Sequence, residues 1–208
     1  MIYDNKKISN GLKPVRYKTS NGLKKIILGF VGELGAGKTV VCNYLKDKYS
    51  ANSYRFSDPL RDVLNRVYLE QSRENMQNLS TVLRAQFGQD LLAKIMANDA
   101  DKDTGEIVTV DGVRRFPDIE HLLKLDGFYL VYVTTDSKTR YERIISRNQN
   151  PGESDISYEK FLESEKSEAD ISIKDVSKQA SFKIKNDGSL EDLYNNIENF
   201  LNEIKNKN

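Results

Sequence analysis

The chain has 208 residues, of which 38% are hydrophobic and 30% are charged, with a formal net charge of +1. This is ordinary for one soluble domain with a substantial core. The charge gives no sign of nucleic acid or a membrane surface as partner, and no apolar run approaches the roughly 18 residues of a membrane span. The one cysteine, Cys42, excludes a disulfide framework and fits a reducing, cytoplasmic interior, where we expect it to be a small core residue.

The first 24 residues form a basic arm. Lysine and arginine outnumber its single acid, Asp4, and the arm shows little apolar periodicity. It lacks the apolar centre of a secretory signal and is too rich in lysine and asparagine for a transit peptide. We expect residues 1–24 to be a flexible, loosely attached extension and residues 25–208 to form the domain. Contact of the arm with nucleic acid or a protein partner is the alternative.

Short β-branched and aromatic runs then alternate with helical patterns. Several runs are continuously apolar, as expected of strands covered on both faces. Strands are predicted at Lys25–Val31, Ser53–Phe56, Ile107–Val110, Tyr129–Thr134 and Phe182–Ile184. Helices are predicted at Lys38–Lys48, Pro59–Tyr68, near Asn75–Ala97, at Asp118–Lys124, at Lys138–Arg147 and at Ser189–Lys205. This order predicts a parallel sheet with right-handed crossovers and a site beyond the carboxyl ends of its strands.

Residues 32–39 form the phosphate loop, which follows the first strand and matches G-x-x-x-x-G-K-[ST] in full. Glycines let successive N–H groups turn towards an anion, and the helix N-terminus adds partial positive charge. Lys38 can reach the β- and γ-phosphates, and the Thr39 hydroxyl can ligate Mg²⁺. The G-x-G-x-x-G spacing of a dinucleotide loop is absent, so we expect a nucleoside triphosphate, ATP. Its expected contacts are Gly32, Glu33, Leu34, Gly35, Ala36, Gly37, Lys38, Thr39 and Val40.

The third predicted strand leads into Asp111, which can hold Mg²⁺ beside the phosphate loop, directly or through water. A turn-forming Asp-Gly pair, Asp111-Gly112, is the alternative. Arg114 and Arg115 follow, and we expect only Arg114 to point into the crevice. The guanine-reading N-K-x-D of a switch GTPase is absent. Arginines spread along the chain suit phosphoryl transfer between two nucleotides, which demands mainly positioning and charge neutralisation.

Four strings follow the phosphate loop in a fixed order: FSDPLRDVL (56–64), LRAQFGQDLLA (83–93), VTVDGVRRFPDIEHL (108–122) and FKIKNDGSLEDL (182–193). Together they resemble P-loop nucleoside and deoxynucleoside monophosphate kinases, and also dephospho-coenzyme A kinase and archaeal adenylate-kinase-like relatives. The resemblance runs from about Lys25 to the C-terminus. It implies an α/β fold of the P-loop kinase type, three-layer α/β/α with a five-stranded parallel sheet and a small helical lid at about residues 148–170.

The resemblance implies an acceptor site built from Asp58, Arg61, Arg84 and Arg114. Asp58 and Arg61 would begin the helix that holds the acceptor nucleotide, and Arg84 would reach the acceptor phosphate. Asp58 precedes Pro59 and is equally a natural helix N-cap. Arg84 could instead be a surface residue.

The resemblance also implies a donor site. Arg143 and Arg147 match an R-x-x-x-R pair at the lid edge, with Arg143 over the donor base and Arg147 on the transferring phosphate. The loop bordering the donor adenine would be formed by Asn186, Asp187 and Gly188. The alternative is that the arginines at 140, 143 and 147 form a solvated helix stripe paired with local acids such as Glu142. His121, the one histidine, is expected to be exposed.

The sequence thus predicts an ATP- and Mg²⁺-dependent kinase acting on a nucleoside or deoxynucleoside monophosphate. Its catalytic residues would be Lys38, Asp111, Arg143 and Arg147, and Mg²⁺ would be held by Thr39 and Asp111. One alternative is dephospho-coenzyme A kinase, with Asp58 as base for a ribose hydroxyl. The other is a regulatory P-loop protein with slow or no hydrolysis. The sequence specifies neither the acceptor nor the oligomeric state.

Overall fold

The computed structural model describes residues 25–147, 156–165 and 168–207. The basic arm, 1–24, and the first part of the predicted lid, 148–155, lie outside the described residues. Among the described helices, none combines the length and the apolar character that a membrane crossing requires.

One five-stranded sheet forms the centre of the domain. Its strands are β1 Ile26–Val31, β2 Asn52–Arg55, β3 Ile107–Val113, β4 Phe128–Thr134 and β5 Phe182–Lys185. They lie in the order β2-β3-β1-β4-β5, and every neighbouring pair is parallel. The predicted five-stranded parallel sheet is therefore confirmed. Every residue of the central strand β1 is buried, which explains its continuous apolar sequence.

Helices cover both faces of the sheet, which confirms the three-layer architecture. They are α1 Lys38–Tyr49, α2 Asp58–Arg66, α3 Arg73–Phe87, α4 Leu91–Lys102, α5 Phe116–Ile119, a 3₁₀ turn Leu122–Lys124, α6 Ser137–Arg147, α7 Tyr158–Ser164, α8 Glu168–Ser177 and α9 Leu190–Lys207. Leu45 of α1 and Ile197 of α9 pack in the core on one face. Met96 of α4, Ile119 of α5 and Val176 of α8 pack in the core on the other.

Two predicted helices are wrong in extent. The segment near Asn75–Ala97 is two helices, because Gly88 adopts a φ of +105° and its N–H closes α3 on the carbonyl of Arg84. The segment Asp118–Lys124 is likewise divided, into α5 and the 3₁₀ turn. In both cases the apolar pattern continues across the break, so periodicity alone predicts one helix.

The described part of the predicted lid, 148–170, consists of α7 and the start of α8. Helix α7 packs on α6 through Tyr141, Tyr158 and Phe161, whose ring centroids lie 5.2–6.1 Å apart. Helix α8 enters the core through Ile173 and Val176. The lid role of this segment stays a prediction.

Candidate active site

The phosphate loop lies at the carboxyl end of β1, in the middle of the sheet. It begins directly after Val31, and its last two residues, Lys38 and Thr39, open α1. Because β1 pairs with β3 on one side and β4 on the other, the ends of these strands flank the loop. The loop therefore occupies the position predicted from the strand order, beyond the carboxyl ends of the strands.

Two glycines of the loop are required by close approach. A Cβ on Gly32 would clash with the carbonyl oxygen of Val133 in β4. A Cβ on Gly37, which has a φ of +100°, would clash with the side-chain amide of Asn186. The loop is thus packed directly against β4 and against the segment that follows β5, with no room for a side chain at either position.

Lys38 folds back over the loop. Its Nζ donates hydrogen bonds to the carbonyl oxygens of Gly32 at 2.6 Å and Glu33 at 3.1 Å. Burial lowers the pKa of Lys38, and the Arg114 guanidinium lowers it further, while the Asp111 carboxylate raises it. Asp111 lies in β3, the strand next to β1, and Arg114 directly follows that strand, which is why their charges influence this lysine. A polyanion bound in the loop would favour the ammonium form.

Thr39 and Asp111 are the residues that could hold Mg²⁺. Thr39 lies exposed in the first turn of α1, and Asp111 lies half-buried in β3, in register with Phe30 of β1. Both offer the oxygen ligands that this cation prefers. Oδ1 of Asp111 also accepts the N–H of Gly112 at 2.8 Å, so the Asp-Gly contact is present, and the role of Asp111 in holding Mg²⁺ stays a prediction.

Glu33 turns its side chain inward rather than towards a bound phosphate. It is 6% exposed, and its Oε1 accepts a hydrogen bond from the Tyr132 hydroxyl at 2.8 Å. Its Oε2 is buried without a hydrogen-bond partner among the described residues. Any contact of Glu33 with ATP would therefore use its main chain.

The predicted donor-base residues form a connected chain. Nη2 of Arg143 donates to the carbonyl oxygen of Asn186 at 2.9 Å, and Nδ2 of Asn186 donates to the carbonyl oxygen of Ala36 in the phosphate loop at 2.9 Å. The structure therefore joins α6, the segment 186–188 and the loop. Arg147 is the last residue of α6, and its side chain lies outside the described part of the molecule.

Arg140 is not part of a solvated stripe, so that alternative is wrong at this position. Arg140 is only 7% exposed. Its guanidinium forms an ion pair with Glu165 and lies over the ring of Phe161, and its Nε donates a hydrogen bond to the carbonyl oxygen of Thr135 at 3.3 Å. The physical reason is the packing of α7 on α6, which removes this face from solvent. Arg140 also lies against Gly35 of the phosphate loop.

Asp58 is not a helix N-cap, which corrects that alternative. It is the first helical residue of α2, and the capping position belongs to Ser57. The carboxylate of Asp58 reaches back and accepts the N–H of Arg55 at 2.8 Å. On the same helix, Nη1 of Arg61 donates to Gln71 at 2.9 Å and remains at the surface.

The guanidinium group of Arg84 is fixed by contacts with other residues of the protein. It lies in the last turn of α3, where Nη1 donates to the carbonyl oxygen of Gln89 at 2.7 Å and lies 3.7 Å from Oδ1 of Asp118. Its side chain is 14% exposed. Sequence reasoning missed Asp118, although an acid at the third position of a helix opened by Phe-Pro is a capping-box signal.

His121 was expected to be exposed, and that prediction is wrong. Its Nε2 lies 2.7 Å from Oδ2 of Asp90, and its side chain is 23% exposed. Asp90 precedes α4 and also pairs with Lys94 at 3.0 Å. The break at Gly88, which the periodicity concealed, brings Asp90 next to the histidine.

Comparison with known proteins places the chain in a family. A family model described as an AAA domain matches residues 31–161. A UPF0200 protein from Staphylothermus marinus is 31% identical over 186 residues, covering 89% of this chain and 96% of that protein. The chain belongs to the UPF0200 family. A further UPF0200 protein, from Methanocaldococcus jannaschii, is 30% identical over 186 residues, covering 87% of this chain and 91% of its own length.

Solved structures share the fold of this UPF0200 chain. A shikimate kinase from Bacteroides thetaiotaomicron gives a TM-score of 0.57 at 12% identity, covering 86% of this chain and 98% of that one. A shikimate kinase from Acinetobacter baumannii in complex with shikimate gives 0.52 at 14% identity, covering 88% and 94%. The resemblance to P-loop kinases is therefore confirmed at the level of the fold.

Proposed function

We propose that this UPF0200 chain is an ATP-dependent kinase that phosphorylates a nucleoside or deoxynucleoside monophosphate, forming a diphosphate and ADP. The observation that carries the proposal is the complete phosphate loop at the carboxyl end of β1, with Asp111 in the neighbouring strand β3 and Arg114 directly after that strand. A loop for one polyanion with a separate cation beside it suits transfer between two phosphorylated molecules. Because such substrates and a lone buried thiol suit a reducing compartment, we assign the activity to the cytoplasm.

On the donor side of the proposed reaction, the loop N–H groups and Lys38 would neutralise the β- and γ-phosphates. Mg²⁺, held by Thr39 and Asp111, would offset the remaining phosphate charge. Arg143, fixed to Asn186, would lie against the donor base, and Arg147 would offset charge that develops on the transferring group. Each of these groups acts by position and charge, which is what phosphoryl transfer requires.

On the acceptor side, Asp58, Arg61, Arg84 and Arg114 would surround the monophosphate. A phosphate oxygen is already a competent nucleophile, so this reaction needs no general base. The arginines would draw the acceptor towards the loop and offset the repulsion between two anions.

A hydroxyl acceptor, as in dephospho-coenzyme A kinase, is the second candidate. It is favoured by Asp58, whose carboxylate does not cap α2 and lies half-buried at the end of β2. A carboxylate in this position could accept the proton of an attacking hydroxyl. The likeness in fold to shikimate kinases is compatible with such an acceptor.

The test is ADP formation from ATP and Mg²⁺ with a panel of ribo- and deoxyribonucleoside monophosphates, with dephospho-coenzyme A included. The proposal expects rapid turnover with one or a few monophosphates. Slow turnover that is independent of any acceptor would contradict it and support a regulatory P-loop protein.

Asp58→Asn then separates the two kinase reactions. Transfer to a monophosphate should be largely retained, whereas transfer to a hydroxyl should fall at least about 100-fold for loss of a base. Asp62→Asn is the matched control, because Asp62 is an exposed acid on the same helix.

A further inference from the structure

Asp118 is a buried carboxylate that contacts three arginines. It is 3% exposed, and its Oδ2 accepts the main-chain N–H groups of Arg114 at 3.1 Å and Arg115 at 3.0 Å. Its Oδ1 lies 3.4 Å from Nη2 of Arg115 and 3.7 Å from Nη1 of Arg84. One side chain therefore ties the end of β3, the start of α5 and the last turn of α3 together.

These contacts divide the arginines into two kinds. The guanidinium groups of Arg84 and Arg115 are directed at Asp118, whereas Arg114 gives Asp118 only its main-chain N–H. Within the described residues, the Arg114 guanidinium makes no hydrogen bond or ion pair with the protein. Arg114 directly follows Val113, which pairs with Val31, the residue that precedes the phosphate loop. Arg114 is thus the arginine left available at the phosphate loop.

The direction in which Arg114 leaves the sheet depends on the turn after β3. That turn is fixed by two hydrogen bonds to one buried carboxylate, four and three residues further along the chain. Burial raises the pKa of Asp118, while Arg115 and the two N–H groups act in the opposite direction. Without this acceptor, two N–H groups would lose their partner and Arg115 would lose its ion pair, while Arg84 would keep only its hydrogen bonds to Gln89 and Ser80.

We propose that Asp118 is a positioning residue for the acceptor phosphate, which holds Arg114 towards the phosphate loop and restrains Arg84 and Arg115 as supports. The inference rests on the proposed kinase function. It narrows the acceptor site, because it assigns the direct phosphate contact to Arg114 and gives Arg84 an indirect role through Asp118.

Two substitutions at Asp118 separate its functions. Asp118→Ala removes the acceptor of both N–H groups, whereas Asp118→Asn keeps an oxygen that can accept them and removes the charge opposite Arg84 and Arg115. With the best monophosphate of the panel, Asp118→Ala should raise the KM of the acceptor about 10- to 100-fold. Asp118→Asn should raise it by about threefold to tenfold. The KM of ATP should stay within about twofold in both variants, as should all parameters of Asp126→Asn, a control at an exposed acid.

A double-mutant cycle distinguishes positioning from general support of the fold. If Asp118 acts through Arg114, then Arg114→Ala in the Asp118→Ala background should raise the acceptor KM by a much smaller factor than it does in the wild type. Arg61→Ala should cost the same in both backgrounds. If the losses at Asp118 and Arg114 multiply, or if the KM of ATP rises in step with that of the acceptor, the inference is overturned.

The outcomes also separate this inference from the function on which it rests. If the wild type turned over none of the monophosphates, the proposed function would be wrong, and the positioning role would be wrong with it. An active wild type together with an unchanged acceptor KM in Asp118→Asn and Asp118→Ala would remove the positioning role alone.

Discussion

The two sides of the proposed active site, one for the donor and one for the acceptor, are built differently. The donor side, defined as the phosphate loop with α1, α6 and residues 186–188, is fixed by buried contacts such as those from Asn186 to Ala36 and from Tyr132 to Glu33. The acceptor side, defined as α2, α3 and residues 114–118, is far more open. Helix α3 has no buried residue, and Tyr68, in the connection from α2 to α3, is 92% exposed.

This difference shows which of the expected substrate contacts depend on the packing of the core. The donor phosphates would be met by main-chain N–H groups, whose positions follow from packing between β1, β4 and the segment after β5. The acceptor would be met by side chains on helices that contribute little to the core. We therefore expect loss of a buried contact on the donor side, such as that of Asn186, to affect ATP and folding together, and changes at exposed residues of the acceptor side to affect the acceptor alone.

The largest expected effect is at Lys38. Lys38→Met should lower kcat about 1,000-fold or more, because the ammonium group would no longer offset charge on the transferring phosphate. The melting temperature should stay equal or rise, since burial lowers the pKa of this lysine and thus opposes its charge in the folded protein. Lys46→Met, at an exposed lysine of the same helix, is the control and should change neither quantity. Retained turnover in Lys38→Met would contradict the donor role of the loop.

Asn186 tests the buried contacts of the donor side. Asn186→Ala removes the hydrogen bond to the carbonyl oxygen of Ala36, and should weaken ATP binding about tenfold and lower the free energy of unfolding by about 1–3 kcal/mol. Calorimetric titration with ATP and denaturant unfolding measure the two effects. Asn52→Ala is the control, because Asn52 makes its side-chain hydrogen bonds to Asp103 at the surface and should cost less than about 0.5 kcal/mol. Loss of acceptor affinity alone in Asn186→Ala would show that the two sides are not separate.

The same contrast explains what the sequence could predict. The phosphate loop and the parallel sheet follow from local signals, namely an eight-residue motif and continuous apolar strands. The pairing of Arg140 with Glu165 and of His121 with Asp90 joins residues 25 and 31 positions apart. Such pairs depend on how helices pack against one another, and no spacing of residues in the sequence predicts that packing.

The acceptor side was also the less predictable one. The motif strings predicted Arg84 on a helix and Arg114 after the third strand, where the structure has them, but they did not predict the carboxylate that contacts both residues. Arg84 donates a hydrogen bond to the carbonyl oxygen of Gln89, just after α3 ends at Gly88, and the apolar pattern does not reveal this break. The contact between Arg84 and Asp118 joins residues 34 positions apart, and no local spacing predicts it.

Phe87 tests whether exposed apolar side chains of the acceptor side contact the substrate. It is 62% exposed at the end of α3, so Phe87→Ser should leave the free energy of unfolding within about 0.5 kcal/mol. The KM of the acceptor should rise several-fold, by roughly the effect of losing one apolar contact with a base, and the KM of ATP should not change. Leu190→Ser, at a residue 58% exposed on α9, is the matched control and should alter neither KM. If both variants changed the KM of the acceptor equally, the predicted contact between Phe87 and the acceptor would be wrong.

The reactivity of the Cys42 thiol is the smallest of the expected effects, and it compares the two sides directly. As the one cysteine of the chain it gives a single labelling signal, and it lies in α1 directly after the phosphate loop. Burial raises the pKa of Cys42 to about 12, with Asp111 acting in the same direction, so the thiolate is scarce at neutral pH. The rate of reaction with a disulfide reagent should therefore rise about tenfold per pH unit between about pH 7 and about pH 9, where a thiol of ordinary pKa would begin to level off.

Ligands then show whether the thiol is reached by opening of α1 or by global unfolding. Each ligand is added at the same multiple of its dissociation constant, so global unfolding predicts equal slowing by ATP and by the monophosphate. Opening of the donor side alone predicts a several-fold slower reaction with ATP and Mg²⁺, and no change with the monophosphate. Equal slowing would show that α1 opens only with the whole domain, and that the two sides of the proposed active site share one cooperative unit despite their different packing.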